Sequence, residues 1–320
     1  MATEVFVTIR PSGDGGDYTS MSAAEAGEQQ NFVTADEYLV AEVQGDWSSA
    51  ADGPVLFTGS TLDATRYMEF RADASNRFNG EYSTSRYRID GASPCLHVRQ
   101  GHTYLIGLQV TQSSGSDGVI VVRDSDGIGH VHDCYVSNTN QGILVRFSGT
   151  AYVKNTTAVG GAFAFRFRDD TLVFCHSCTA RDSGVGFDSV NAGTNYTLRN
   201  CLADGNSTAD FQGSWGAANN NASSDSSAPG TGSITDATIV FVSSTDMHID
   251  ASDASGIKTG GANLSADSDL PVTTDFEGDS RSATPTIGAD EFVAAAAGGA
   301  LPIPAFARRS RLSRNSNLRR

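Results

Sequence analysis

Between Tyr104 and Gly216 the chain repeats one pattern five times. Cut at its turn clusters, the stretch reads "YLIGLQVTQSSGSDGVIVVRDSDG", "IGHVHDCYVSNTNQGILVRFSGT", "AYVKNTTAVGGAFAFRFRDDT", "LVFCHSCTARDSGVGFDSVNAGT" and "NYTLRNCLADGNSTADFQGSWG", lines of 21 to 24 residues. In each line a short β-rich run meets a polar turn, and a second short apolar run such as "VIVV", "ILVRF", "FAFRF" or "VGF" meets another. A period of this size means that no unit buries its own apolar face, so each must stack on the next. Runs this short do not suit a sandwich of hairpins. The pattern predicts an all-β parallel coil whose equivalent positions stack at about 4.8 Å. Two internal ladders are expected. One is Cys134, Thr157, Cys178 and Cys201, spaced 23, 21 and 23 residues, in which free Cys serves as a small hydrophobe. The other is Val121, Val145, Phe165, Phe187 and Phe211.

The flanks extend the pattern. "GPVLFTG", "RYMEFRAD", "YRIDG" and "PCLHVRQG" read as earlier coils, and "ATIVFVSSTDMHIDASDASGIKTGG" as the last ones. That makes about nine coils and a rod of about 40 to 45 Å. The Ser/Asn/Gly-rich "SWGAANNNASSDSSAPGTGSITDAT" between them reads as a mobile excursion from one coil. Open coil ends expose unpaired strand edges and need lids. At the N-terminus "DYTSMSAAEAGEQQ" predicts a short helix, with Ser22 as its cap and Glu25 at the capping-box spacing. The resulting division is 1–50 for the N-terminal strand and capping helix, 51–292 for the coil with its C-terminal cap, and 293–320 for an apolar, then Arg-rich, tail.

These features resemble the right-handed parallel β-helix repeat proteins, and both ends strengthen the likeness. The opening "GGDYTSM" is similar to that of β-helix proteins from bacteria and their viruses, with Ala24 where that pattern often has Trp. The closing "DFEGDSRSATPTIGADEF" resembles the family's C-terminal closure, an Asp-x-x-Gly-x-x-Arg segment running into Ile-Gly-Ala-x-Glu-Phe. Asp275, Gly278, Arg281, Ile287, Gly288, Ala289, Glu291 and Phe292 stand at the matching positions. Physically, Arg281 can pair with Asp275 or Glu291 while Ile287 and Phe292 cover the last coil, which favours a structural cap over a catalytic loop.

Many proteins of this fold cleave polysaccharides, which takes clustered carboxylates of unequal protonation. Asp169 and Asp170 in "FRFRDDT" are the adjacent pair on a coil, with Asp124 and Asp126 near by, but solvated or turn-capping roles suit them better. The Asn-x-Asp, Gly-His-Gly and Arg-Ile-Lys segments of pectin hydrolases are missing. "GHVHDC" puts His130 and His132 on one strand face, with no identifiable third metal ligand. "CHSC" has a half-site spacing, yet in a strand Cys175 and Cys178 point to opposite faces, which reads as one buried and one peripheral thiol. The turns are Asp-rich without a repeated calcium motif, so no cofactor or metal is expected. Trp47, Trp215, Tyr82 and Tyr87 stack on sugars if exposed, or pack if buried.

Charge separates the tail from the body. The chain carries −15 overall, and its last 28 residues hold six arginines and no acid, leaving −21 on the rest. An acidic body argues against general nucleic-acid binding. The basic arm, with Phe306, Arg308, Arg309, Arg311 and Arg314 behind the apolar Leu301–Pro304, reads as a partner-docking segment or as an inconsequential disordered end. "MATEVFVTIRPSGDGG" lacks the pattern of a secretory signal, and no apolar run reaches membrane length. The resemblance then implies a structural protein of a tailed bacteriophage virion, a head decoration or a spike or fibre component. It would be a homotrimer that docks other virion proteins through the tail and adheres to host or environmental glycans. The alternative is a polysaccharide lyase or hydrolase acting in the coil groove and released by a signal-independent route. A bacterial surface carbohydrate-binding module is the third expectation.

Overall fold

The computed structural model describes residues 2–48, 51–92, 94–115, 117–124, 126–190 and 195–294. Each repeat line makes one turn of a parallel β-solenoid. The turn that starts at "IGHVH" contributes Ile128–His132 to a first sheet, Tyr135–Ser137 to a second and Gln141–Arg146 to a third. The next turn places Thr150–Lys154, Thr157–Val159 and Phe163–Phe167 beside them in parallel register. Six complete three-strand turns run from Met68–Ala72 to Ala209–Gln212. Strands Thr3–Ile9 and Glu37–Val43 extend sheet 1 ahead of them, Val55–Phe57 extends sheet 3, and Ala217–Asn219 and Ala222–Ser223 follow. Sheet 1 thereby reaches nine strands and sheets 2 and 3 seven each.

The six turns replace the nine coils expected. Residues 237–261 do not add parallel strands. Phe241 and Ile249 make an antiparallel bridge instead, and both pack on Leu202 and Ala222. The Ser/Asn/Gly stretch, expected as an excursion, begins a seventh turn: Asn219 bridges Thr231 and Ala222 bridges Ile234, both in parallel. Its turn is held by the buried Asp210, whose Oδ2 accepts the Ser224 N–H at 2.6 Å and the Ser224 hydroxyl at 2.7 Å.

Both ladders exist, with corrected rungs. Tyr135 pairs with Thr157, and Thr157 with Thr179, so the inward position one residue earlier runs Cys134, Thr156, Cys178, Cys201. Thr156, not Thr157, faces the thiols. In sheet 3 the inward column is Leu96, Ile120, Ile143, Phe165, Phe187 and Phe211. Val121 is the residue after the rung Ile120 and lies outside the main core, and Val145 belongs to a second inward column with Val98, Val122 and Phe167, because a column is set by register and not by the apolar character shared along each run. The last three rings stack face to face, at 4.6 Å and 5.0 Å between centroids.

One corner carries a second regularity. Between sheets 1 and 2 the chain turns through left-handed backbone at Gly107, Asp133, Asn155, Ser177, Asn200 and Asn220, with φ between 47° and 70°. Asn, Asp and Gly tolerate this region best, since short polar side chains can bond locally. The N–H of each of the first five donates to a carbonyl of the following turn, so the corner continues the sheets' ladder.

The N-terminal helix α1 (Met21–Gly27) packs on Val55–Phe57 and Thr3–Ile9. Ser20 caps it in place of the expected Ser22: with extended φ and ψ, its hydroxyl accepts the Ala23 N–H at 3.1 Å. Glu25 does not reach back to the cap. It is buried, and its carboxylate accepts the Thr58 N–H and the Gln29 amide, pinning the helix to the first coil. None of the described helices is long and apolar enough to cross a membrane.

Candidate functional site

The outer faces of the solenoid decide what it can do, and sheet 2's is covered. Val136, Ala158, Ala180 and Ala203 point inward to the main core, whereas Tyr135 and Leu202 point outward and join separate apolar clusters with Phe276, Met247, Ile257 and Ile287. The covering layer is a strap of residues 237–292. It climbs the left-handed corner: Asn220 donates to the Gly260 carbonyl, Asn200 exchanges two hydrogen bonds with Ala262, and Arg199 pairs with Asp267. His176 Nδ1 meets the Leu270 carbonyl at 2.9 Å, and Asn155 donates to the Thr274 carbonyl at 2.7 Å. The chain then reverses at Asp275 and returns, with Ala289 N–H on the Thr179 hydroxyl.

Asp275, Arg281, Glu291 and Phe292 form the knot of this strap. The Arg281 side chain is 4 % exposed and donates to the carbonyls of Thr286, Gly288, Ala289 and Asp290 and to Asn155 Oδ1, with Glu291 3.6 Å away. Asp275 accepts three consecutive N–H groups, of Glu277, Gly278 and Asp279, and that of Glu291. Glu291 accepts the Ser282 and Thr286 N–H groups. Phe292 is half-buried, with the Lys258 ammonium 4.3 Å from its ring centre. The strap lies along the flank: Ile287 touches the last coils from outside, on Leu202 and Ala222.

Where the strap's far end meets the loop before Arg88–Ala92, Glu81, Asp246, His248, Glu277 and Arg86 line a polar hollow of about 560 Å³. Burial alone would lower the His248 ring, but the carboxylates of Glu277, Asp290 and Asp246 outweigh it and hold it at about 10. The imidazolium spans Asp246 at 2.5 Å and Glu277 at 3.0 Å, so both carboxylates are engaged in a clasp.

Asp169 and Asp170 do not converge with other carboxylates. Asp169 accepts the Phe147 N–H of the preceding turn at 3.1 Å and has left-handed backbone, while Asp170 is exposed. Asp124 pairs with Arg99 and Arg123. Cys175 and Cys178 are both fully buried, against the expectation of one peripheral thiol: Ser177 turns the corner between them, so strand alternation does not carry across. Burial pushes both thiols well up. Trp47 and Tyr87 are core residues, and Trp215 packs against Phe167 and Tyr196. Tyr82 is half-buried beside Tyr135. Phe306, Arg308, Arg309, Arg311 and Arg314 lie outside the described residues.

The open face is that of sheet 1. Its outward column stacks Tyr104, His130, Tyr152 and Phe174 ring on ring, at 3.9, 4.7 and 5.2 Å and within 8° of parallel. His130 and His132 share this face as their spacing predicts, and they join His102 and Lys154 in a trough of about 390 Å³ between Ala64 and the strap's Asp269–Pro271. A second hollow of about 660 Å³ shares His102 and continues past Asp63 and Asp126 to Arg99. Burial pulls His130 down to about 3, His132 well below its ordinary range, and His102 and Lys154 downward, so the imidazoles are uncharged at neutral pH. The separate strands that bring His102, Tyr104 and Tyr152 beside the "GHVHDC" histidines were not singled out in the sequence; the outward column of the repeat alignment was the available signal. No family model, no curated protein and no solved structure matches this chain.

Proposed function

We propose that the chain is a rod-forming structural and adhesive protein of the tailed-phage virion type, acting as a homotrimer that docks to other virion proteins through its C-terminal tail. The observation that carries the rigid-rod part is the strap: buried side chains at Asn155, His176, Asn200 and Arg281 tie it to successive turns, while Asp275 and Glu291 brace it internally. The assembly part rests on the motif resemblance at both ends and on the basic tail of an acidic body.

Light scattering on the full chain beside a chain ending at Phe292 tests this reading. A trimer, or attachment to capsid shells, that the shortened chain loses is the expected result. Inert monomers from both, with release of oligosaccharides from bacterial polysaccharides, would replace it with the polysaccharide-cleaving reading.

A further inference from the structure

We propose that the hollow between residues 234–240 and 252–255 is the seat of the chain's own C-terminal tail. Leu301–Phe306 docks there in cis, and the arginines behind it lie along the acidic surface beside the hollow. This rests on the reading above of the tail as an assembly arm, and adds where that arm is held before it meets a partner.

The hollow is already built. It encloses about 380 Å³, and Ile234, Ala237, Val240 and Ala254 give it apolar walls. One wall is tied to the last turn, because the N–H groups of Ile234 and Ala237 donate to the Asn221 and Ser223 carbonyls at 2.8 and 2.9 Å. The facing wall is tied to the first, because Asp253 accepts the Val240 N–H at 2.8 Å and the Val240 carbonyl accepts that of Asp250 at 2.8 Å. An arriving segment therefore has little of the wall to order. The lining is also open to it: Thr238, Ser252 and Ala254 are exposed, and Val242, two residues further along the strap, is 52 % exposed.

Reach, chemistry and charge select the occupant. The described chain ends beside this hollow, since the Phe292 ring centre lies 4.3 Å from Lys258 Nζ, which donates to the Ala251 carbonyl at 2.6 Å, next to Ser252 of the lining. The seven residues from Ala294 to Leu301 span up to about 25 Å when extended, so the segment arrives without leaving the strap. Leu301, Ile303 and Phe306 are its large apolar side chains, and Pro302 and Pro304 restrict the backbone between them, which lowers the entropy lost on docking. Arg308, Arg309 and Arg311 follow Phe306 directly. The surface that would meet them is acidic. Asp236 stands exposed at the lip, and its N–H donates to the carbonyl of a further aspartate, Asp225. Near by, burial raises the Asp204 carboxyl to about 6, and Asp210, Asp182 and Asp253 add to the rise while Arg181 opposes it. An acidic partner would be repelled by the same carboxylates, whereas the arginine arm relieves them.

Photo-cross-linking tests this on the full chain carrying Phe306→p-benzoylphenylalanine, as a mixture of light- and heavy-nitrogen protein. Cross-links from position 306 to residues 234–240 or 252–255, within chains of one isotope, are the expected result. None there, or only pairs of mixed isotope, would overturn the proposal. Ala254→Arg, at an exposed wall position, should abolish those cross-links and leave the melting temperature unchanged; cross-links that persist undiminished count against the seat. Hydrogen exchange gives a second reading. In the double variant Ile303→Ser, Phe306→Ser, whose changes lie outside the solenoid and strap, amides of 234–240 and 252–255 should exchange roughly three- to tenfold faster than in the parent, and high salt should narrow the gap. Equal exchange in parent and variant also sinks the idea. A chain that forms trimers or attaches to shells yet gives no cis cross-link would remove the seat and leave the assembly arm intact. A cis cross-link in an inert monomer would do the reverse.

Discussion

Arg281 gathers five carbonyl and amide acceptors and one carboxylate around a nearly buried guanidinium, so its replacement exposes the cost of every partner it satisfies. Arg281→Met leaves Glu291 and Asp275 without their cation, and urea unfolding should show a loss of about 3 to 5 kcal/mol. A loss under about 1 kcal/mol would mean that the carbonyls find other donors. In the core, Phe187 is sandwiched between Phe165 and Phe211, and Phe187→Ala should cost about 3 to 5 kcal/mol by the same measurement. Residues of these two kinds were unequally visible beforehand. The phenylalanine column stood out because three equal rings recur at the repeat spacing. The cysteine column was misjudged by one position because Thr156 and Thr157 are identical in chemistry, and only hydrogen-bond register distinguishes the one that faces inward.

The strap answers to pH through its clasp. His248 titrates near 10 in the folded protein and near 6.5 when unfolded, so its contribution is fully present below about 6.5 and is lost as pH rises through 10. Hydrogen-exchange protection of residues 246–249 and 277–279 should therefore fall between pH 7 and 10.5, and His248→Gln should flatten that profile. Gly80→Ala should open the same clasp at all pH values, because an added Cβ would lie 2.1 Å from the His248 ring and Gly80 has φ +93°. The closing segment's pairing of Arg281 with a carboxylate was readable in the sequence. Its position along the flank was not, because the strap has no period of its own. Its partners Asn155, His176 and Asn200 lie 62 to 126 residues away along the chain.

A solenoid of nearest-neighbour turns melts piecemeal unless something couples distant turns. The strap does so here, bridging from Asn220 at one end to Gly80 at the other. The parent chain should unfold in a single transition by both circular dichroism and tyrosine fluorescence, and Arg281→Met should separate the two probes into distinct midpoints. The parallel-coil architecture was legible because its period lies in the sequence itself. The number of turns was not, because "ATIVFVSSTDMHID" has the apolar runs of a coil but folds against the outside of one.

The chain's last described residues run beside Lys258 and Thr286 on the solenoid's flank, not at its tip. A pull applied through Phe292 would meet the strap's hydrogen bonds one after another, as in peeling tape, instead of loading the stacked strands together. In a pulling experiment that geometry gives a long, low-force unravelling of the strap first. Only afterwards would the rod itself carry tension.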